Sequence, residues 1–127
     1  MPTGKLSDDV FAIDFVPYDW LFPQVCAAVH QGGAGVTGAV LRAGLPSVVV
    51  PVFGDHAFWA QRVFQLGAAP RPIPAKQLTE DALVSAIRAT ASTEMRRRAA
   101  ALGEQIRGED GVARAVEAFH EYVGVVH

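Results

Sequence analysis

The sequence contains little cysteine and no excess of charge of either sign. Cys26 is the single cysteine among 127 residues, which excludes an internal disulfide framework and a zinc site built from cysteines. The formal net charge is −2, and the longest basic cluster is residues 96–98. These values give no electrostatic basis for binding nucleic acid, so we expect no nucleic-acid partner.

Long apolar runs are also missing. No run approaches the ~20 residues that a membrane-spanning helix needs, and the first residues lack the apolar stretch of a signal peptide. We therefore expect no membrane span and a cytoplasmic location. The length fits one domain over residues 1–127, and 50% hydrophobic residues are enough for a packed core.

Strand-like and helix-like segments alternate through the first half of the chain. Short, apolar, β-branched segments predict three strands, at residues 10–16, 26–29 and 47–52. Helical periodicity and capping residues predict helices at residues 36–43 and 56–66, and others that begin near residues 79, 93 and 111. This order predicts an α/β fold, a Rossmann-like parallel sheet with flanking helices and a helical C-terminal tail.

A glycine-rich loop lies at the centre of this pattern. His30 ends the second strand-like segment, three glycines follow within five residues, and Thr37 opens the next helix. A glycine loop between a strand and a helix lets backbone N–H groups approach an anion closely, and the helix dipole favours negative charge there. The sequence therefore predicts a phosphate site.

The same loop permits a second interpretation. Gly33, Gly35 and Gly38 match the dinucleotide fingerprint G-x-G-x-x-G, and Asp55 follows at about the distance of the acid that binds ribose. In that fold, however, the fingerprint opens a long helix and the acid ends the second strand. Here the predicted helix is short and Pro51 interrupts the chain before the acid. A dinucleotide-binding domain remains the less favoured alternative.

The longer string of motifs is more specific. The chain reads HQGGAG at residues 30–35, GLP at residues 44–46 and GDH at residues 54–56. This series resembles the sugar-nucleotide signature of family 1 glycosyltransferases of the GT-B fold, in the branch of sterol glucosyltransferases and bacterial natural-product glycosyltransferases. The resemblance covers roughly residues 10–87. It implies a partial C-terminal, donor-binding domain.

The resemblance assigns roles around the glycine loop. His30 would donate to the donor diphosphate, and Thr37 would add a hydroxyl contact. Backbone N–H groups at the helix N-terminus would bind the same diphosphate, from Gly33, Ala34, Gly35 and Val36. Val36 replaces a threonine of the family motif and Gln31 replaces a second histidine, which removes a hydroxyl but leaves the backbone donors.

Further roles concern the sugar and the base. Asp55 would accept hydrogen bonds from the sugar hydroxyls, with His56 beside it where the family more often has glutamine. Phe15 and Val16 would lie near the base of the nucleotide. Asp55 could also simply cap the helix that starts at His56, because aspartate is a preferred N-cap residue.

The resemblance implies the donor-binding part of an inverting glycosyltransferase. It would transfer a hexose, with glucose favoured, from a nucleoside-diphosphate sugar to a hydroxyl of a sterol, lipid or natural product. No cofactor or metal is expected, and the histidines show no ligand pattern. The catalytic base belongs to an N-terminal acceptor domain that the sequence lacks, so we expect little or no activity from this chain alone.

Two expectations concern the isolated chain. A non-catalytic binding or interaction module that keeps the fold is the alternative from another functional class. Phe53, Phe58 and Trp59 follow the third strand and would be exposed without a second domain. Because large apolar patches favour self-association, we expect a homo-oligomer.

Overall fold

The computed structural model describes residues 3–126. Four short strands are present, β1 (Gly4–Lys5), β2 (Phe11–Ala12), β3 (Ala28–His30) and β4 (Ser47–Val49). The α-helices are α1 (Tyr18–Leu21), α2 (Ala34–Arg42), α3 (His56–Gln65), α4 (Glu80–Ala89), α5 (Thr93–Arg107) and α6 (Gly111–Val126). Two 3-10 turns complete the chain, at Phe22–Gln24 and Ala75–Gln77.

The central sheet is parallel, as predicted. β3 pairs with β4, and the register places His30 opposite Val49 and Ala28 opposite Ser47. All three residues of β4 are buried, because its other edge is also covered by the chain that follows α3. There the Ser47 N–H donates to the Ala68 carbonyl at 2.9 Å, and the Ile73 N–H donates to the Val49 carbonyl at 3.1 Å.

The strand predicted at residues 10–16 is wrong in both length and environment. Only Phe11–Ala12 is extended and paired, in an antiparallel hairpin with β1 rather than in the parallel sheet. Phe11 and Phe15 are 67% and 86% exposed. An apolar segment becomes a buried strand only where a covering layer exists as well as a neighbouring strand, and within residues 3–126 only the two-residue partner β1 is supplied here.

A close contact between α2 and α5 fixes the core. α2 ends at Arg42, and Gly44 shortly after it has a φ of +75°, the left-handed conformation expected of a glycine after a helix. A Cβ atom on Gly103 of α5 would lie 2.5 Å from the Gly44 Cα atom, so the two backbones are in direct contact. Small apolar side chains fill the adjoining cluster, Val63, Ala68, Ala69 and Ala99.

The first two helices of the second half begin where the sequence predicts, near residues 79 and 93. The Thr79 hydroxyl accepts from the Ala82 N–H at 3.1 Å, and the Ser92 hydroxyl accepts from the Met95 N–H at 3.1 Å. Each bond satisfies one of the free N–H groups at a helix start. The boundaries of α4 and α5 were therefore predictable from local sequence.

α6 is a regular helix without a covering partner within residues 3–126. Its apolar residues recur at helical spacing, yet Val112, Val116 and Phe119 are all exposed. No helix in that range is both long enough and apolar enough to cross a membrane.

Candidate functional site

The glycine loop leads into a helix N-terminus that is open to a ligand. Gly33 is the N-cap residue of α2, no side chain caps the helix, and its first turn carries no acidic residue. Ala34 and Gly35 are exposed. Because the first N–H groups of a helix have no intrahelical acceptor, the backbone donors predicted at residues 33–36 lie together at one exposed, positively polarised end.

Gly32 joins this loop to the start of α3. Its φ is +97°, and a Cβ atom here would lie 2.9 Å from the His56 carbonyl oxygen and 3.0 Å from Val49 Cγ1. Only glycine fits such a conformation at such a distance. The turn that carries Asp55 and His56 is thereby held against the glycine loop, so the residues predicted for diphosphate and for sugar are neighbours.

His30 is hydrogen-bonded through both ring nitrogens. Its Nδ1 accepts from the Gly32 N–H at 3.1 Å, and its Nε2 lies 3.0 Å from the Ser47 hydroxyl oxygen. With Nδ1 as an acceptor, the neutral ring carries its proton on Nε2 and donates it to Ser47. Burial lowers the pKa of His30 below its ordinary value, so the neutral form is favoured.

This arrangement changes what His30 does in the free chain. A direct bond to a phosphate would require one of the two internal bonds to break. In the structure the imidazole instead holds the Gly32 N–H and therefore the path of the loop. Direct donation from His30 to the diphosphate stays a prediction.

Ser47 is a residue that the sequence reasoning missed. It is 1% exposed and is the partner of His30. The available signal was a single hydroxyl in an otherwise β-branched, fully buried strand. Such a buried polar group needs a hydrogen-bond partner.

Thr37 lies in the first turns of α2 but is only 2% exposed. Its hydroxyl is buried and has no hydrogen-bond partner within residues 3–126. A ligand at the helix N-terminus could not reach this oxygen without a rearrangement. Thr37 therefore lies on the predicted helix, but its hydroxyl is not exposed to a ligand.

Asp55 and His56 have different environments. Asp55 is exposed and stands at the N-cap position of α3, but its carboxylate caps no N–H group. It accepts instead from the indole N–H of Trp59 at 2.8 Å. His56 is 6% exposed, and its Nδ1 lies 3.4 Å from the N–H groups of both Val52 and Phe53, so it stabilises the turn before α3.

The residues predicted for the base lie in a separate place. Phe15 and Val16 line an open cleft of about 470 Å³ together with Ile13, Asp14, Pro17, Tyr18 and Leu21. No residue of the glycine loop lines this cleft. The structure brings the diphosphate and sugar candidates together, but it does not join the base candidates to them in one cavity.

Two further expectations bear on the site. Within residues 3–126 no group of three or more His, Cys, Asp or Glu side chains is placed to hold a metal ion. Phe53 and Phe58 are exposed beside Asp55, whereas Trp59 is half-buried. The self-association predicted from this patch stays a prediction.

Comparison with known proteins points to glycosyltransferases. The chain is 44% identical over 119 residues to a sterol 3-beta-glucosyltransferase of Arabidopsis thaliana, covering 94% of this chain and 19% of that protein. It is 42% identical over 123 residues to O-mycaminosyltylonolide 6-deoxyallosyltransferase of Streptomyces fradiae, covering 95% of this chain and 29% of that protein. The chain thus spans less than a third of either relative.

Solved structures agree with the sequence relatives. The glycosyltransferase VinC, solved in complex with dTDP, superposes with a TM-score of 0.82 at 29% identity, covering 93% of this chain and 30% of VinC. The glycosyltransferase of kitacinnamycin gives a TM-score of 0.81 at 28% identity, covering 94% of this chain and 32% of that enzyme. The predicted α/β fold of the GT-B type, present here as part of a C-terminal domain, is confirmed.

A family model matches nearly the whole chain. It is the model of the erythromycin biosynthesis protein CIII-like C-terminal domain, and it matches residues 2–115. The resemblance drawn from the glycine loop and the motifs after it is therefore confirmed. The chain belongs to the erythromycin biosynthesis protein CIII-like C-terminal domain family of glycosyltransferases.

Proposed function

We propose that this chain is the donor-binding part of an inverting glycosyltransferase. It binds a nucleoside-diphosphate sugar and presents a hexose, with glucose favoured, to a hydroxyl of a sterol, lipid or natural-product acceptor. The observation that carries the proposal is the uncapped, exposed N-terminus of α2, which the turn at Gly32 holds close to the backbone of His56, the residue after Asp55.

The chemistry asked of this chain is electrostatic. The acceptor oxygen attacks the anomeric carbon while the bond from that carbon to the diphosphate oxygen breaks, so negative charge develops on the leaving diphosphate. N–H groups at a helix N-terminus are already directed at such a charge and need little reorganisation. Asp55 accepts from sugar hydroxyls and fixes the orientation of the ring. No metal or other cofactor is required in this scheme.

The proposal also assigns a partner. The proton of the acceptor hydroxyl goes to a base in an acceptor-binding domain outside these 127 residues. The relatives named above are several times longer, which supports such a domain as the partner. Phe15 and Val16 remain the proposed neighbours of the base. The chain alone should bind donor but turn it over slowly or not at all.

The N–H groups of α2 can be tested one at a time. Ala34 is the first residue of α2 and Gly33 before it has φ −59° and ψ 147°, a conformation that accepts a following proline. Ala34→Pro therefore removes one N–H donor without breaking the helix. Thr93→Pro is the matched control, because it occupies the same position in α5 behind Ser92, at φ −63° and ψ 140°.

The measurement is calorimetric titration with UDP and with dTDP. We expect the wild-type chain and Thr93→Pro to bind at least one of them alike, and Ala34→Pro to bind it about tenfold more weakly, on the order of 1.4 kcal/mol. Equal affinities of Ala34→Pro and wild type would mean that the N-terminus of α2 does not bind the diphosphate. Binding of NAD but of neither diphosphate would favour the dinucleotide alternative, and no binding at all would favour a non-catalytic module.

A further inference from the structure

The carboxylate of Asp55 is held by a side chain rather than by the helix that it precedes. An aspartate at an N-cap position ordinarily accepts from an N–H group of the first turn. Here no such bond forms. The carboxylate oxygen Oδ2 accepts instead from Nε1 of Trp59, one helical turn later, at 2.8 Å.

Trp59 is suited to fix that carboxylate in one orientation. Its ring is half-buried and packs edge-to-face against Phe58, with 4.9 Å between the ring centroids. An indole has one N–H donor and no acceptor, so its bond to Asp55 has one direction and uses one carboxylate oxygen. The other oxygen, Oδ1, stays available to accept from a ligand hydroxyl.

We propose that Trp59 is a positioning residue for the donor sugar, acting through Asp55. This inference rests on the function proposed above, because it takes Asp55 as the group that accepts from the sugar. Trp59 holds Oδ2 of the exposed Asp55 carboxylate, so that this carboxylate does not cap α3 and Oδ1 keeps its full capacity to accept from a sugar hydroxyl. Its loss should weaken recognition of the sugar and leave recognition of the diphosphate unchanged.

A merely structural role for Trp59 predicts a different result. If the contact served stability, then replacing the indole with a phenyl ring would lower the stability of the chain. Under the proposal, Trp59→Phe keeps an aromatic ring against Phe58 and frees Asp55 to cap α3. Stability should then stay the same or rise, while sugar recognition falls. Sugar affinity and stability therefore change in different directions.

The test measures the extra affinity that a sugar adds to a nucleotide. UDP, UDP-glucose, dTDP and dTDP-glucose are titrated against the whole chain and four variants, Trp59→Phe, Asp55→Ala, the double variant and Trp20→Phe. Trp20 is the other tryptophan of the chain and is exposed on α1, so Trp20→Phe is the control. Thermal unfolding of each variant is recorded in parallel.

We expect Trp59→Phe to lower the affinity for the sugar nucleotide about fivefold, as for one lost hydrogen bond, without changing the affinity for the diphosphate. The double variant should be no weaker than Asp55→Ala, because the two residues act as one unit. Trp20→Phe should change neither affinity. In a ¹H–¹⁵N spectrum, Asp55→Ala should shift the indole resonance of Trp59 and leave that of Trp20 in place.

The outcomes separate this inference from the proposed function. Suppose that Trp59→Phe binds the diphosphate normally and that the sugar still adds as much affinity as in the wild type. This result would overturn the role of Trp59 and leave the proposed function standing. An unshifted Trp59 resonance in Asp55→Ala would do the same, because the hydrogen bond would be absent. If Trp59→Phe loses stability in proportion to its loss of affinity for the sugar nucleotide, then the role of Trp59 is structural alone. A wild-type chain that binds none of the four nucleotides would overturn both proposals.

Discussion

The segment from β3 to α3 and the helix α6 are both amphipathic, but only the first is covered by the rest of the chain. In the first segment, β4 is buried throughout, and its one polar residue, Ser47, is hydrogen-bonded to His30. In α6 the apolar residues follow helical spacing equally well, yet Phe119 is 64% exposed. Periodicity therefore identifies the element and its apolar face, whereas burial depends on what the remaining chain places against that face.

The same contrast appears at the N-terminal end. The segment at residues 10–16 is as apolar as β4, but it lies outside the parallel sheet and is largely exposed. β4 has β3 on one edge and the chain after α3 on the other, so its hydrophobic residues leave water. Substitutions in the covered segment should therefore change the free energy of unfolding strongly, and substitutions in the uncovered segments should change it weakly.

The strongest test of this difference compares two helical glycines. Gly103→Ala would place a Cβ atom 2.5 Å from the Gly44 Cα atom and 2.9 Å from the Leu41 carbonyl oxygen, so α5 must move away from α2. We expect the free energy of unfolding to fall by about 2–3 kcal/mol despite the better helix propensity of alanine. The measurement is urea denaturation.

Gly124→Ala in α6 is the matched control. A Cβ atom at Gly124 has no neighbour within 4 Å, so only propensity acts there, and stability should rise by at most about 1 kcal/mol. Equal responses of the two variants would mean that the contact between α2 and α5 is not close in solution.

A smaller effect is expected at the buried hydroxyl of Thr37. An unpaired buried hydroxyl is unfavourable, so Thr37→Val should raise the free energy of unfolding by about 1 kcal/mol, because it exchanges that hydroxyl for a methyl group of similar size. Affinity for UDP and dTDP, measured by calorimetry, should stay the same, since the oxygen does not reach the helix end.

The result for Thr37 also decides between two roles. A gain in stability together with a loss of affinity would mean that the hydroxyl turns outward when the ligand binds, as the family resemblance implies. Ser47→Ala is a useful comparison, because it removes a hydroxyl that does have a partner and should lower stability instead.

Local sequence was sufficient for much of the fold but not for the internal contacts of the site. The glycine loop, the end of α2 and the helix starts near residues 79 and 93 each depend on a few neighbouring residues, and they were predicted. The bond from His30 to Ser47 depends on the register of β3 against β4, which the sequence does not specify. The exposed state of residues 10–16 likewise depends on what is absent around them, and no periodicity encodes that.

The same limit applies to Asp55. Its N-cap position was predictable from the helix that follows, but its partner was not. Two local solutions compete for one carboxylate, the N–H groups of α3 and the indole of Trp59. Which one forms depends on how Trp59 packs against Phe58, and therefore on side-chain contacts rather than on spacing.

A smaller effect is expected from His30, in the pH dependence of stability. Burial holds the pKa of folded His30 below its ordinary value of 6.5, so near that pH the folded chain binds fewer protons than the unfolded chain. The contribution of His30 is full above pH 6.5 and is lost as the pH falls through the pKa of the folded state. Thermal unfolding between about pH 7 and pH 5 should therefore show a decline.

His30→Gln should flatten that decline, because glutamine does not titrate. His120→Gln is the control, since His120 is exposed on α6 and should leave the profile unchanged. If both variants keep the wild-type slope, then His30 is accessible to protons in the folded chain and the buried site is less closed than the structure indicates.

The smallest effect is expected on the apolar face of α6. Phe119→Ser removes a large aromatic side chain, yet Phe119 is exposed, so the free energy of unfolding measured at low protein concentration should change by no more than about 0.5 kcal/mol. Phe22→Ser is the comparison, because Phe22 is buried against Val40 and Leu45. This substitution should lower the free energy of unfolding several times as much. A loss at Phe119 above about 1 kcal/mol that grows with protein concentration would mean that a second copy covers this face. The exposed helix would then behave as part of a core, and the weak response expected of α6 would hold only for the single chain.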